Sequence, residues 1–505
     1  MVRRLGFLSL AVVVLASCQD NILPTDPDGP VLHYNRSHAD FTVNTNDDVD
    51  DGVCDLSHCS LREAINAANA KPGKDLIAFR IPGYGVHTIQ PLSQLPTITD
   101  PVTIDGYTQR GARPNRRRGH RGSNARLKIE LDGSRAGNVH GLSITGADSK
   151  VQGLVINRFG LNGVLISEGD AKGNLIRGNF IGVDVTGTSP LGNGLHGVRV
   201  RRAPGNTIGG IEPGARNVIS GNAEAGVLIM GLLADGNFVQ GNYIGTDATG
   251  TVAVGNGIGV WIMGWQNTIG GTIAGARNII SGNLEGVTLE DLAEDNLVQG
   301  NYIGTDVNGT SAISNGIGVA LMGSGNSIGG TSNEAGNTIA YNDGPGVGVR
   351  ERTGNAVLSN SIFSNAGLGI DLIPDGPTAN DPGDGDTGAN NLQNFPVLTS
   401  AKGRSFSMTI EGQLNSTANT DFRLEFFANE TCDPSGNGEG QRFIGVENVT
   451  TDGNGDASVD ARFWTARQSR SWRRKSSFDF ITATATDPDG NTSEFSRCVE
   501  VEYHR

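Results

Sequence analysis

The sequence predicts an all-β solenoid, a stack of short strands wound into a parallel β-helix, and three observations carry that prediction. The phrase NLVQGNYIGTDVNGT (296–310) repeats, nearly letter for letter, NFVQGNYIGTDATGT (237–251) and NLIRGNFIGVDVTGT (174–188). A shorter pattern, Asn-x-apolar-x-x-Asn, recurs at Asn174/Asn179, Asn217/Asn222, Asn237/Asn242, Asn278/Asn283, Asn296/Asn301, Asn337/Asn342 and Asn355/Asn360. Short Gly-Val segments with alternating apolar residues stand among these units, as in GVRV (197–200), GVLI (226–229), GVWI (259–262) and GVTL (286–289).

A repeat that cannot bury its own apolar face is stabilised by stacking on its copies. The long phrases start 237 − 174 = 63 and 296 − 237 = 59 residues apart, too far for one rung, so two Asn units fit each period. Period-two alternation bounded by Gly and Asn reads as short strands with tight turns. Asn suits the corners because it tolerates left-handed backbone and its amide can bond the Asn one rung away. Each coil is expected to run strand, turn, strand, turn. The NTIGG segments (206–210, 267–271), NSIGG (326–330) and the GTD segments are expected as loops inserted at fixed corners, so that coil length alternates.

Arg3 and Arg4 precede an apolar stretch, Leu5–Ala16, too short to span a bilayer and suited to a signal-peptide core. It ends in LASC (15–18), which resembles the bacterial lipoprotein processing site and implies that residues 1–18 end at an acylated Cys18. Residues 19–40 are Pro- and Asp-rich without periodicity, as in a flexible tether. SLREAINAANA (60–70) is helical by period, with Ser60 and Glu63 placed for a capping box and Leu61, Ala64, Ile65 and Ala68 on one face. A solenoid end exposes strand edges and core, so this helix is expected as the N-terminal cap. Arg62 and Glu63 as a catalytic pair is the weaker alternative, since neighbours in sequence do not share a helix face.

The repeats resemble those of right-handed parallel β-helix proteins of the pectin-lyase-like class, over about residues 100–395. CSLREAINAAN (59–69), with FTVNTNDDVDDGVCD (41–55) before it and LPTITDPVTIDG (95–106) after it, resembles the N-terminal module named for its Cys-Ser-Leu-Arg-Glu-Ala signature, found on bacterial surface-exposed β-helix proteins. This implies a cap over 41–100 and a right-handed parallel β-helix over 101–395. Beyond 396 the repeats stop. FSMTIEGQLN, DFRLEFFAN, RFIGVENVTT, ASVDARFW, FDFITATATD and SRCVEVEY alternate at hairpin spacing, which predicts an antiparallel β-sandwich over 396–505.

Glycine is 74 of 505 residues, twice the usual share of about 7%, as a chain of tight corners requires. A net charge of −14 disfavours a nucleic-acid partner in spite of RRRGHR (116–121) and RSWRRK (470–475). These clusters read as solvated loops, or for RRRGHR as an insert that could meet an anionic glycan or lipid headgroup. With Cys18 assigned to lipid, four cysteines remain in a chain expected to be exported, and the pairs Cys54–Cys59 and Cys432–Cys498 are predicted as disulfides. A metal reading of Cys54, His58 and Cys59 matches no zinc spacing.

The densest acidic cluster, GIDLIPDGPTANDPGDGDTGANN (369–391), holds Asp371, Asp375, Asn380, Asp381, Asp384 and Asp386, the oxygen-rich set that calcium needs, against the alternative of a solvated linker. NTNDDVDDG (44–52) is a weaker second candidate, and DGNGD (452–456) reads as a hairpin turn. Asp184, Asp247 and Asp306 recur once per long period, about 10 Å apart at two coils, which is too coarse for a glycosidase pair and suits turn caps. His140 and His196 each precede Gly, as in β-helix glycosidases, without the motifs that accompany it there. Trp261 and Trp265 are the expected sugar-stacking pair, with packing of Trp261 as the alternative. The whole predicts a monomeric rod on the bacterial cell envelope, at the outer membrane or cell surface, that is held to its membrane by lipid and binds polysaccharide or acts in adhesion. The alternative is a calcium-dependent polysaccharide lyase or glycoside hydrolase of the pectin-lyase-like class.

Overall fold

A computed structural model describes residues 39–119, 121–332, 334–372, 376–404, 407–464 and 478–503. Cys18 and the tether up to residue 38, Asp375 and the RSWRRK segment lie outside these residues.

The solenoid is a right-handed β-helix of three parallel sheets, and each full coil contributes one strand to each. One coil runs Phe238–Gln240 in sheet 1, Tyr243–Ile244 in sheet 2 and Ile258–Met263 in sheet 3. The next runs Thr268–Gly270, Ile279–Ile280 and Glu285–Leu289. The coil therefore has three strands, not two. The NTIGG segments also differ from expectation: Thr207–Gly209, Thr268–Gly270 and Ser327–Gly329 are strands of sheet 1.

Coil length hardly alternates, since successive sheet 1 strands start 268 − 238 = 30 and 297 − 268 = 29 residues apart. What alternates is the corner that carries the insert. In the first coil Gly241 and Asn242 alone join sheets 1 and 2, and residues 245–257 form a long loop before sheet 3. In the second, residues 271–278 make the long link between sheets 1 and 2, with a 3-10 turn at Ala274–Ala276, and 281–284 the short one. Two coils are thus needed to complete the repeat.

Each corner carries a ladder of buried asparagines. Asn174, Asn206, Asn237, Asn267, Asn296, Asn326 and Asn355 enter sheet 1, and Asn390, in the 3-10 turn Ala389–Leu392, follows them; the backbone N–H of each of the seven bonds Oδ1 of the next at 2.8–3.2 Å. Asn179, Asn217, Asn242, Asn278, Asn301, Asn337 and Asn360 do the same between sheets 1 and 2. Asn193, Asn222, Asn256, Asn283, Asn315, Asn342 and Asn365 do it between sheets 2 and 3. Their Nδ2 groups also meet carbonyls of the preceding coil, as Asn278 meets Val239 O at 2.7 Å. A glycine row lies beside the third ladder because nothing larger fits: a Cβ on Gly226 would stand 2.8 Å from Gly259 O and from Ile244 Cγ2.

The inward residues of the strands, such as Val198, Val200, Ile244, Val260 and Ile262, are fully buried. The GTD loops make a second, outer core by folding across sheet 2, where Phe180, Tyr243, Ile279 and Val307 are buried. Successive loops stack through Ala248 N–H to Gly187 O at 2.8 Å and Val307 N–H to Gly250 O at 2.9 Å.

The helix Leu61–Ala70 covers the first coils. Its capping box is formed, with Glu63 N–H donating to Ser60 Oγ and Ser60 N–H to the Glu63 carboxylate. Leu61, Ala64, Ile65 and Ala68 are buried in the common core. Arg62 bonds Asp48 at 2.7 Å and Gln94 O at 2.8 Å, so both members of the catalytic alternative are spent on structure. Cys54–Cys59 and Cys432–Cys498 are disulfides, which removes the thiolates from the metal reading.

Among the described residues the C-terminal module has seven strands, in the order 442–450, 421–429, 480–486, 499–503, 397–404, 407–415, 456–464. All pairings are antiparallel except that of Val397–Arg404 with Val499–Tyr503, which is parallel. That first strand, absent from the sequence expectation, enters from the solenoid and the last strand closes the sheet beside it.

The module caps the open end of the solenoid with three buried glutamates. Glu425 accepts Ser359 N–H at 2.7 Å, Glu494 accepts Leu372 N–H at 3.0 Å and Thr378 N–H at 2.8 Å, and Glu439 accepts Ser364 N–H together with Asn365 N–H and Nδ2. Glu439 thereby terminates the third asparagine ladder. Phe427 and Phe495 plug the apolar core beside these acids.

Burial raises all three carboxyls, and pushes Glu439 up to about 7 against the donors that favour its charge. The unfolded chain then loses this proton first, so the contribution is complete below about pH 4.5 and is lost as pH rises to about 7. The loss for Glu439 is about 3 kcal/mol. Denaturation at pH 4.5 and pH 8 is expected to show this fall, and Glu439→Gln to flatten it; an identical slope in the variant contradicts the assignment.

Candidate functional site

The outward face of sheet 3 concentrates the side chains suited to a ligand. Strand Val198–Arg201 buries Val198 and Val200, and its alternation turns Arg199 and Arg201 outward. In-register pairing aligns Leu165, Arg199, Leu228, Trp261, Thr288 and Ala320 in one row across the coils. Arg199 and Trp261 are two coils apart, about 10 Å. Arg199, Arg201, Arg202, Met230, Leu232 and Leu233 line a cleft of about 720 Å³. Leu232 and Leu233 are exposed on its rim. Arg199 Nε and Trp261 Nε1 are buried without a hydrogen-bond acceptor among the described residues, while Arg199 Nη2 meets Met230 Sδ at 3.0 Å.

His196 lies against Trp261, ring centroids 6.3 Å apart and nearly perpendicular. Its Nδ1 accepts Ala225 N–H at 3.1 Å, and its Nε2 faces Glu224 at 3.3 Å. Burial, then the charge of Arg199, pull its pKa down to about 4, so at neutral pH it is uncharged and its one free acceptor is occupied. His140 is likewise lowered by burial and accepts from Asn162. Neither is placed as a general base. Trp265 sits 42% exposed on the corner after Trp261's strand rather than in its row.

The recurring aspartates are turn caps. Asp184 Oδ1 accepts Thr188 N–H at 2.9 Å and Ser189 N–H at 3.2 Å, and Asp247 and Asp306 repeat the arrangement. Burial opposes the charge on Asp184 and Asp306, but these donors hold both carboxyls below their ordinary range.

Of the six acidic-junction residues, the structure brings three together. One oxygen from each of Asp381, Asp384 and Asp386 lies within 4.8 Å of the others. Asp384 also receives Asn394 N–H, Gln393 Nε2 and Ser416 Oγ, whereas Oδ1 of Asp381 and of Asp386 meet no hydrogen-bond donor among the described residues. Burial, then neighbouring carboxylates, raise Asp384 and Asp386. A hard cation relieves that repulsion, and the donor set fits one completed by water. Asn380 is not part of it, because its amide pairs with the Phe395 backbone in both directions. Asp371 is a buried strand residue beside Glu494. The weaker candidate at 44–52 is largely taken by protein donors: Asp48 by Arg62, Asp50 by Asn66, and Asp47 by His58, which also faces Asp51 and Glu63.

No protein-family model matches the chain, and no curated protein matches it significantly. Among solved structures, it is similar to the A-module of Azotobacter vinelandii mannuronan C-5 epimerase AlgE4, at 18% identity over 66% of this chain and 98% of that one, with a TM-score of 0.34. It is similar to pectate lyase Pel9A at 15% identity over 66% and 74% of the two chains, TM-score 0.29. It is also similar to tailspike protein gp49 from Acinetobacter baumannii bacteriophage Fri1, a capsular polysaccharide depolymerase, at 8% identity over 85% and 80%, TM-score 0.29. At these scores the likeness assigns no site to this chain.

Proposed function

We propose that this chain binds an extended anionic polysaccharide along the outward face of sheet 3, and that it holds the polymer without cleaving it. The observation that carries the reading is the three-arginine cleft, in line with Trp261, on a chain of net charge −14. Guanidinium forks match carboxylate or sulfate groups, and an indole offers a flat apolar surface to a sugar ring. A polymer lying along the row adds several weak contacts through effective concentration. Attachment to a membrane through Cys18, and a role in adhesion, belong to this reading on the strength of the Leu15–Cys18 signature.

Distance supports binder over calcium-dependent lyase. Six strand steps separate Val198–Arg201 from Ile370–Asp371, where the acidic junction begins. At about 4.8 Å a step that is about 29 Å, so the arginines and the strand that leads into the acidic junction do not meet at one sugar linkage. The carboxylates beside the cleft are single: Glu168 is 3.9 Å from Arg201, and Glu224 faces His196. In this account calcium is structural and ties the junction to the C-terminal module through Gln393, Asn394 and Ser416.

Arg199→Ala with Arg201→Ala is expected to weaken retention on a uronate polysaccharide about tenfold or more, with a smaller salt dependence than the parent. Trp261→Ala should lose more than Trp265→Ala. Unsaturated uronide products or new reducing ends from the purified chain would overturn the binder reading.

Calcium is expected to raise the thermal midpoint by mass action, and the triple change Asp381→Asn, Asp384→Asn, Asp386→Asn to remove that response. A midpoint indifferent to calcium and to chelator contradicts the site.

A further inference from the structure

A second arginine cleft lies at the corner between sheets 1 and 2, and Arg118 of the RRRGHR segment lines it. Arg216 and Arg277 occupy equivalent places two coils apart. The Arg216 guanidinium stacks 4.4 Å from the Tyr243 ring and that of Arg277 4.1 Å from Tyr302. Their Nε groups donate to Gly241 O at 3.3 Å and Gly300 O at 2.9 Å, which closes the tight corner. With Arg216 Nη1 to Gly122 O at 3.4 Å, two N–H groups of Arg216 and one of Arg277 are used, and the rest of each fork is left for something else. The loop that contains Arg118 folds across the same corner, tied by Ser123 N–H to Ala248 O at 2.7 Å and Asn115 Nδ2 to Pro213 O at 2.9 Å.

Between them is a cleft of about 420 Å³ lined by Arg118, Arg216 and Arg277, with the buried Ile279 and Val307 at its floor and Ile211 and Ile273 exposed at its rim. None of the three arginines is in an ion pair among the described residues. Among the described residues the acid that lines the cleft, Glu212, is exposed at its edge. Burial lowers the pKa of Arg216, as expected of a charge drawn out of water without a counter-ion.

We infer that this cleft is a binding site for a compact amphipathic anion, a carboxylate, sulfate or phosphate on an apolar body. Three guanidinium groups would neutralise the head, and the isoleucines and Val307 would receive the body. The size suits a small molecule rather than a polymer strand, and the inference is independent of the polysaccharide reading.

The test titrates the full chain with anilinonaphthalene sulfonate, whose sulfonate and aromatic body match both halves of the site. Saturable fluorescence is expected, displaced by a long-chain carboxylate but not by inorganic sulfate at equal concentration. Arg216→Gln with Arg277→Gln should weaken it about tenfold or more, whereas Arg199→Ala with Arg201→Ala should leave it unchanged. If the corner variant fails to fold, Arg118→Glu, on the overlying loop, must show the same loss. Non-saturating binding, equal binding of a neutral naphthylamine, insensitivity to the folded variants, or capture by anionic phospholipid vesicles without binding of the free probe would each overturn the site.

Discussion

A β-helix turns its backbone three times per coil in places that water does not reach, and every N–H and C=O at those corners still needs a partner. Strand pairing cannot supply it, because the chain is changing direction there. In this protein asparagine does, by carrying a donor and an acceptor on one short side chain. Asn278 shows the economy of the arrangement: its Oδ1 accepts from the Asn242 backbone at 3.0 Å and side chain at 3.1 Å, while its Nδ2 reaches Val239 O and Asn301 Oδ1. The glycine row, the constant coil length and the outward register of sheet 3 all follow from holding these corners in line.

The same requirement explains both ends. At the first coils the helix with its Ser60/Glu63 box covers the core, and at the last the C-terminal module supplies carboxylate acceptors, with Gly440 N–H also donating to Ile362 O at 2.8 Å. The first ladder ends on Asn390, whose Nδ2 donates to Thr492 O of the C-terminal module at 3.1 Å. A carboxylate can also end a ladder, because it accepts without passing a bond onward. Glu439 does this for the third ladder, and Glu425 and Glu494 serve strand N–H groups nearby.

How much of this was legible depended on range. The Asn-x-apolar-x-x-Asn unit revealed the stacking, yet it hid the third strand of each coil. Asn174/Asn179 bracket a sheet 1 strand, whereas Asn217/Asn222 bracket a sheet 2 strand, because the insert moves from one corner to the next. Asn193, Asn256 and Asn315 follow the long loops, and Asn206, Asn267 and Asn326 precede long links, so these ladder members fall outside the six-residue unit. The helix face and the Cys54–Cys59 pair rested on local cues, and Cys432–Cys498, 66 residues apart, on being the two cysteines left in the C-terminal segment. The glutamate caps could not be read, since their partners lie 66 to 122 residues away. Arg199 and Arg201 did leave a signal, charges alternating with valines in a strand, while the acidic run at 369–391 overstated its cluster because Asn380 answers to backbone and Asp371 to the strand.

Function follows from the regularity as much as from any one residue. Corners held by amides leave the outward positions of sheet 3 free to vary, and that is where arginines and Trp261 stand. The measurement that bears most directly on the account is the stability of Asn278→Ala in denaturant, set beside Asn454→Ala in an exposed turn. Leaving the Asn242 N–H and the Val239 carbonyl buried and unpaired should cost about 3 kcal/mol or more, with Asn454→Ala costing little. A loss below about 1 kcal/mol at Asn278 would contradict the claim that the asparagine ladders hold this fold together.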